Sequence, residues 1–183
     1  MGFDKIAVFG ISMGGKAAII ASTKTKEIDA VVADSSAVGF VESMNLRDRV
    51  SMGSSKVFSF FVSETLVAYF YELMTGISED DNKAVNYIDR INTPILIIHG
   101  DKDKIVPLKD AHLLYEKAKE PKFIWIVKNT GHHKAHNTHR AEYEERLLNF
   151  FDENLKSGTS CDYIQKLFLS VCVDNELGGC LYR

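Results

Sequence analysis

Residues 10–14 read Gly-Ile-Ser-Met-Gly, a G-x-S-x-G pattern. Such a pentapeptide is common by chance, but here it lies between an apolar run, Ile6-Ala7-Val8-Phe9, and an Ala- and Ile-rich segment, Met13 to Ala21. That context predicts a buried strand, a tight turn and a helix, with the serine hydroxyl exposed at the turn. The flanking glycines leave room for the turn and for helix packing. The Met13 N–H then faces the place where an oxyanion would form, at the positive end of the helix. A serine hydroxyl is a weak nucleophile and needs a base that a carboxylate orients.

Both partners can be sought where later strands end. His99-Gly100-Asp101-Lys102-Asp103 follows the apolar run Ile95-Leu96-Ile97-Ile98, and a carboxylate there can reach the crevice that Ser12 faces. Asp103 is taken as the acid, with Asp101 as its competitor. Thr130-Gly131-His132-His133 follows the run Phe123 to Val127. His132, just after the glycine, is taken as the base and His133 as its surface neighbour. His99 and His112 read as structural.

Four histidines, His132, His133, His136 and His139, also raise a metal site, since i, i+4 and i, i+3 spacings align two of them on a helix. No cysteine or carboxylate completes a recognisable ligand spacing and no H-E-x-x-H is present, so a polar helix start is the simpler reading. No metal or cofactor is expected.

The elements that must position these groups follow from the apolar runs. Ile6–Gly10, Ile28–Ala33, Pro94–Ile98 and Phe123–Val127 read as strands buried on both faces. Leu108, Ala111, Tyr115 and Ala118 recur at helical spacing behind Pro107, and Tyr143, Leu147, Phe150 and Phe151 mark another amphipathic helix. Alternating strands and helices imply an α/β fold, a mainly parallel sheet of about four strands covered on both faces. The stretch 35–92 lacks a clear strand and carries Phe58, Phe60, Phe61, Tyr69, Phe70 and Tyr71, so it reads as a helical cap insertion. Phe60, Phe61, Tyr69 and Phe70 serve a core more readily than a substrate pocket. Asp34, ending the second strand, is expected to order the cap loop. Ser157-Gly158-Thr159-Ser160 reads as a linker, giving a domain over 1–156 and an appended tail over 157–183.

Three blocks carry a family resemblance: Val8 to Gly15, Ile97 to Pro107, and Gly131-His132. Together they resemble the C-terminal half of an α/β-hydrolase, in the large group of serine esterases and peptidase-like hydrolases. The segment Lys122 to Phe151 is similar to bacterial members with a helical cap, and the resemblance covers roughly 3–156. It implies a triad of Ser12, Asp103 and His132, with Met13 in the oxyanion hole, acting on a small-molecule or peptide ester, thioester or amide. The family places further strands, and the loop that supplies a second oxyanion N–H, ahead of the nucleophile strand. Loss of one such donor costs about 10²–10³ in rate. The first strand is therefore expected at an apolar sheet edge, open to self-association or to a complementing segment. The reading that competes with an enzyme is a catalytically impaired chain serving as a binding or structural module. Reaction of Ser12 with a fluorophosphonate separates the two.

Composition bounds the remainder. Of 183 residues, 45% are hydrophobic and 26% charged, and the net charge is −3. That balance speaks against a nucleic-acid partner and against disorder. The most apolar stretch, Val57 to Met74, is interrupted by Ser59, Ser63, Glu64, Thr65 and Glu72, so no membrane segment is expected. Met1 to Lys5 has no apolar core of a signal peptide. Cys161, Cys172 and Cys180 all lie in the tail, and a cysteine-free body suits a reducing compartment, with the cytoplasm as the expected location.

Overall fold

In the computed structural model, the structure describes residues 5–39, 69, 72–78 and 80–155. The segments 40–68 and 156–183, which hold most of the expected cap and the whole tail, lie outside the described residues. Strand β1 (Ala7–Ile11) leads through Ser12 into helix α1 (Met13–Ser22). Strand β2 (Ala30–Asp34) follows, and after three short 3₁₀ turns at Asp80–Asn82, Ala84–Asn86 and Ile88–Arg90 comes β3 (Ile95–Gly100). Helix α2 (Leu108–Lys117), strand β4 (Lys122–Val127), the short helix α3 (Ala135–Thr138) and helix α4 (Arg140–Asn154) complete the order.

The four strands form one parallel sheet in the order β1-β2-β3-β4. Phe9 lies opposite Val32, Val32 opposite Leu96 and Leu96 opposite Phe123, so one register runs across the sheet. β2 and β3 are buried at every position. Such strands carry β-branched residues without polar alternation because neither face meets water. Val31, Ala33, Ile95 and Ile97 point to one face, where they meet Ala18 and Ile19 of α1 and Ala111 and Leu114 of α2. Val32, Leu96, Ile98, Trp125 and Val127 point to the other, against Tyr143, Leu147, Phe150 and Phe151 of α4. Each such aliphatic side chain contributes about 1.5–3 kcal/mol by leaving water. The result is a three-layer α/β fold with the C-terminal ends of all strands at one rim.

Part of the reach read as a cap belongs to this core. Ala84, Ile88 and Ile91 join the cluster beneath α1 and α2. Among the described residues β1 pairs on one side alone, as its position at the end of the strand order requires. No described helix is long and apolar enough to cross a membrane.

Candidate active site

The parallel sheet brings the ends of β1, β3 and β4 to one rim, and each delivers one polar side chain. Ser12 occupies the turn between β1 and α1 with φ 53°, in the left-handed region that non-glycine residues seldom adopt. Such a conformation costs about 1–3 kcal/mol and persists only where its surroundings over-determine it. They do so here. The Ser12 N–H donates to the Asp34 carbonyl at 2.8 Å, and the Ser12 carbonyl accepts from Gly15 and Lys16 at 3.1 and 3.3 Å.

The glycines around Ser12 have unequal roles. A Cβ on Gly10 would collide with the Gly14 carbonyl, which is backbone and cannot swing aside. A Cβ on Gly15 would sit 2.9 Å from the Ser36 Cβ. A Cβ on Gly14 would meet nothing within 4 Å. Room for the turn and the helix is therefore needed at Gly10 and Gly15, not at the second glycine of the motif. Met13, 69% exposed, is the first residue of α1, where a helix N–H has no carbonyl of its own helix to pair with.

Asp103 lies in the turn after β3. Its Oδ1 accepts from the N–H groups of Ile105 and Val106 at 2.8 and 2.9 Å, and its side chain is fully enclosed. Oδ2 lies 2.7 Å from His132 Nδ1. Burial pushes the Asp103 carboxyl up, but the hydrogen bonds from His132, Val106 and Ile105 outweigh it and hold the group below the ordinary carboxylate range. An ionised Asp103 accepts only, so Nδ1 carries the ring proton and Nε2 presents a lone pair. That Nε2 lies 3.0 Å from Ser12 Oγ.

The structure thus brings Ser12, His132 and Asp103 into one hydrogen-bonded row. Asp101 is elsewhere: its Oδ1 accepts from the Thr130 N–H at 3.3 Å and braces the loop that carries His132. His99 is completely buried, with Nε2 donating to the Val106 carbonyl at 3.1 Å, so it supports the Asp103 turn from behind. The other histidines are dispersed. His136 pairs with Glu144 at 3.2 Å, His139 Nδ1 lies 2.9 Å from Thr138 Oγ1, and the His133 ring stands edge-on to that of His132.

A buried polar cluster, of which the sequence singled out Asp34 alone, lies behind this row. Asp34 accepts from Tyr143 Oη and from Ser35 Oγ, both at 2.8 Å. Burial raises the Asp34 carboxyl, against the lowering effect of the bonds from Tyr143 and Ser35. Burial likewise drives the Tyr143 phenol above its ordinary range, and the neighbouring Asp34 charge adds to this. An aspartate ending an apolar strand was the one visible signal.

A parallel sheet with helices on both faces and a serine on a strained strand-to-helix turn define an α/β-hydrolase. The model of the prolyl oligopeptidase family matches residues 1–158. The chain belongs to that family. Among curated relatives, it is 30% identical over 91 residues to the uncharacterized Bacillus subtilis protein YqkD, covering 50% of this chain and 30% of that one. It is 25% identical over 151 residues to the uncharacterized protein YfhR of Escherichia coli O157:H7, covering 80% and 45%. The chain therefore spans less than half the length of these relatives. Among solved structures, it is similar to the Pyrococcus furiosus esterase Pf2001, with TM-score 0.62, 24% identity, and 83% of this chain and 54% of that one covered. The Pyrococcus horikoshii acylaminoacyl peptidase superposes with TM-score 0.60 at 18% identity, over 90% and 26%. Likeness at these identities extends to the fold.

Proposed function

We propose that the chain carries the catalytic half of a serine hydrolase acting on an ester, thioester or amide bond of a small-molecule or peptide substrate. Ser12 is the nucleophile, His132 the general base and acid, and Asp103 the group that orients His132. The observation that carries this reading is the row from Asp103 Oδ2 to His132 Nδ1 at 2.7 Å and from His132 Nε2 to Ser12 Oγ at 3.0 Å.

The reaction follows from that row. As Ser12 Oγ attacks the carbonyl carbon, its proton passes to His132 Nε2, and Asp103 stabilises the imidazolium that forms. The Met13 N–H donates to the developing oxyanion, aided by the positive end of α1. His132 then gives the proton to the leaving oxygen, sulfur or nitrogen, and an acyl-Ser12 ester remains. Water, deprotonated by the same His132, attacks that ester and releases the acid. Each step is acid–base and nucleophilic chemistry within the three side chains, so no cofactor is called for.

Reaction with a fluorophosphonate probe tests the reading. Labelling is expected on Ser12 and is expected to vanish in Ser12→Ala and fall sharply in His132→Ala. Labelling that persists in Ser12→Ala would overturn it.

A further inference from the structure

His132 sits in a loop without regular structure, between two residues in the left-handed region, Asn129 at φ 54° and His133 at φ 43°. The Asp103 carboxylate fixes the tilt of the ring, but the position of the ring follows from the loop backbone. One backbone anchor next to His132 is the His133 N–H, which donates to Ser35 Oγ at 3.0 Å. Ser35 is 1% exposed and itself holds φ 52°. Its single hydroxyl proton is committed to Asp34 Oδ1 at 2.8 Å, which turns an oxygen lone pair toward His133. Asp34 is held in turn by the Tyr143 hydroxyl of α4 at 2.8 Å.

The same dipeptide reaches the nucleophile. The Asp34 carbonyl accepts the Ser12 N–H at 2.8 Å, so Asp34-Ser35 binds the serine turn with its backbone and the histidine loop with a side chain. Ser35 is pinned to the sheet by its own N–H, which donates to the Ile98 carbonyl at 2.8 Å. The end of β2 thereby contacts both the serine turn and the histidine loop, although neither residue is on β2.

We propose that Ser35, oriented by Asp34 and Tyr143, is a positioning residue that holds His132 at hydrogen-bond distance from Ser12. This rests on the serine-hydrolase reading above. It assigns the buried cluster a role in the reaction geometry. A misplacement on the order of 1 Å between reacting groups can cost about 10²-fold in rate.

The test compares the full 183-residue chain with its Ser35→Gly and Tyr143→Phe variants, using 4-nitrophenyl acetate turnover and NMR of the His132 Nδ1 proton. Glycine adopts the left-handed backbone of position 35 without strain, so any loss reports the missing hydroxyl. Ser35→Gly is expected to lower kcat by about 10- to 100-fold with KM within about twofold, and to broaden the Nδ1 proton resonance. Tyr143→Phe is expected to shift both in the same direction by less. Unchanged kcat and an unbroadened resonance in Ser35→Gly would overturn the proposal. If Ser35→Gly does not fold, the same result in Tyr143→Phe overturns it. If Ser12→Ala retains the turnover, the hydrolase reading fails, and the His132 resonance alone then decides whether Ser35 positions the ring.

Discussion

Replacing Asp103 by asparagine changes one atom and should nearly stop the reaction. Asp103 Oδ1 accepts two backbone N–H groups, from Ile105 and Val106, at 2.8 and 2.9 Å. An asparagine must keep its carbonyl oxygen on that side, since the amide NH₂ would face two donors there. The NH₂ then falls where Oδ2 now meets His132 Nδ1 at 2.7 Å. Two donors cannot share that contact, so Nδ1 gives up its proton and Nε2 becomes the N–H. The ring can then no longer accept the Ser12 proton, and the buried charge that would stabilise the imidazolium is gone. In a triad of this kind the substitution costs about 10⁴ in kcat, or about 5.4 kcal/mol at 1.36 kcal/mol per tenfold. Asp101→Asn is the control. Its carbonyl can still accept the Thr130 N–H that Asp101 Oδ1 takes at 3.3 Å, so kcat should stay within about threefold of wild type. The assay is steady-state hydrolysis of a nitrophenyl ester, with folding checked by circular dichroism. A larger loss in Asp101→Asn than in Asp103→Asn, with both variants folded, would refute the reasoning.

Three other outcomes follow from the same geometry. Gly10→Ala should destabilise the fold by about 3 kcal/mol, because its methyl meets the Gly14 carbonyl, whereas Gly14→Ala, in open space on a helix, should gain about 0.5–1 kcal/mol; thermal melts distinguish them. Asp103 titrates below its ordinary value of 3.8 when folded, so its contribution to stability is complete above pH 3.8 and is lost as pH falls through the lower folded value. Acid unfolding of Asp103→Asn should accordingly be less steep than that of wild type, as urea midpoints against pH will show. Among the described residues β1 has a neighbour on one side alone, and it is apolar at Ala7, Val8 and Phe9, so the 183-residue polypeptide by itself should self-associate. A monomer in sedimentation velocity across the micromolar range would contradict that expectation.

The strands were legible in the sequence for the same reason that their faces were not. A parallel strand covered on both sides needs apolar residues at every position, so Ile95-Leu96-Ile97-Ile98 announces a strand without saying that Ile95 and Ile97 meet α1 and α2 while Leu96 and Ile98 meet α4. That division depends on the helices, not on the run. The 3₁₀ turns between Asp80 and Arg90 were hidden differently. Each is three residues long, too short for a helical period, so the burial of Ala84 and Ile88 left no pattern to read.

The candidate site divides along the same line. Ser12 is set by local chain geometry, a turn after a strand, and a five-residue pattern can record that, whereas His132 is marked only by the glycine before it at the end of an apolar run. The choice between Asp101 and Asp103 is also local, but it is made by a turn in which Oδ1 captures the N–H groups two and three residues onward, which composition does not display. The Asp34–Tyr143 bond joins residues 109 positions apart, and the His133–Ser35 bond spans 98. No spacing rule reaches that far. What the sequence does carry is the cost: a carboxylate at the end of an apolar strand must find donors once buried, since an unpaired buried charge costs several kcal/mol. Asp34 therefore implies partners without naming them, and the fold supplies them from α4 and from the adjacent serine. That serine then has a lone pair left over, and the histidine loop takes it.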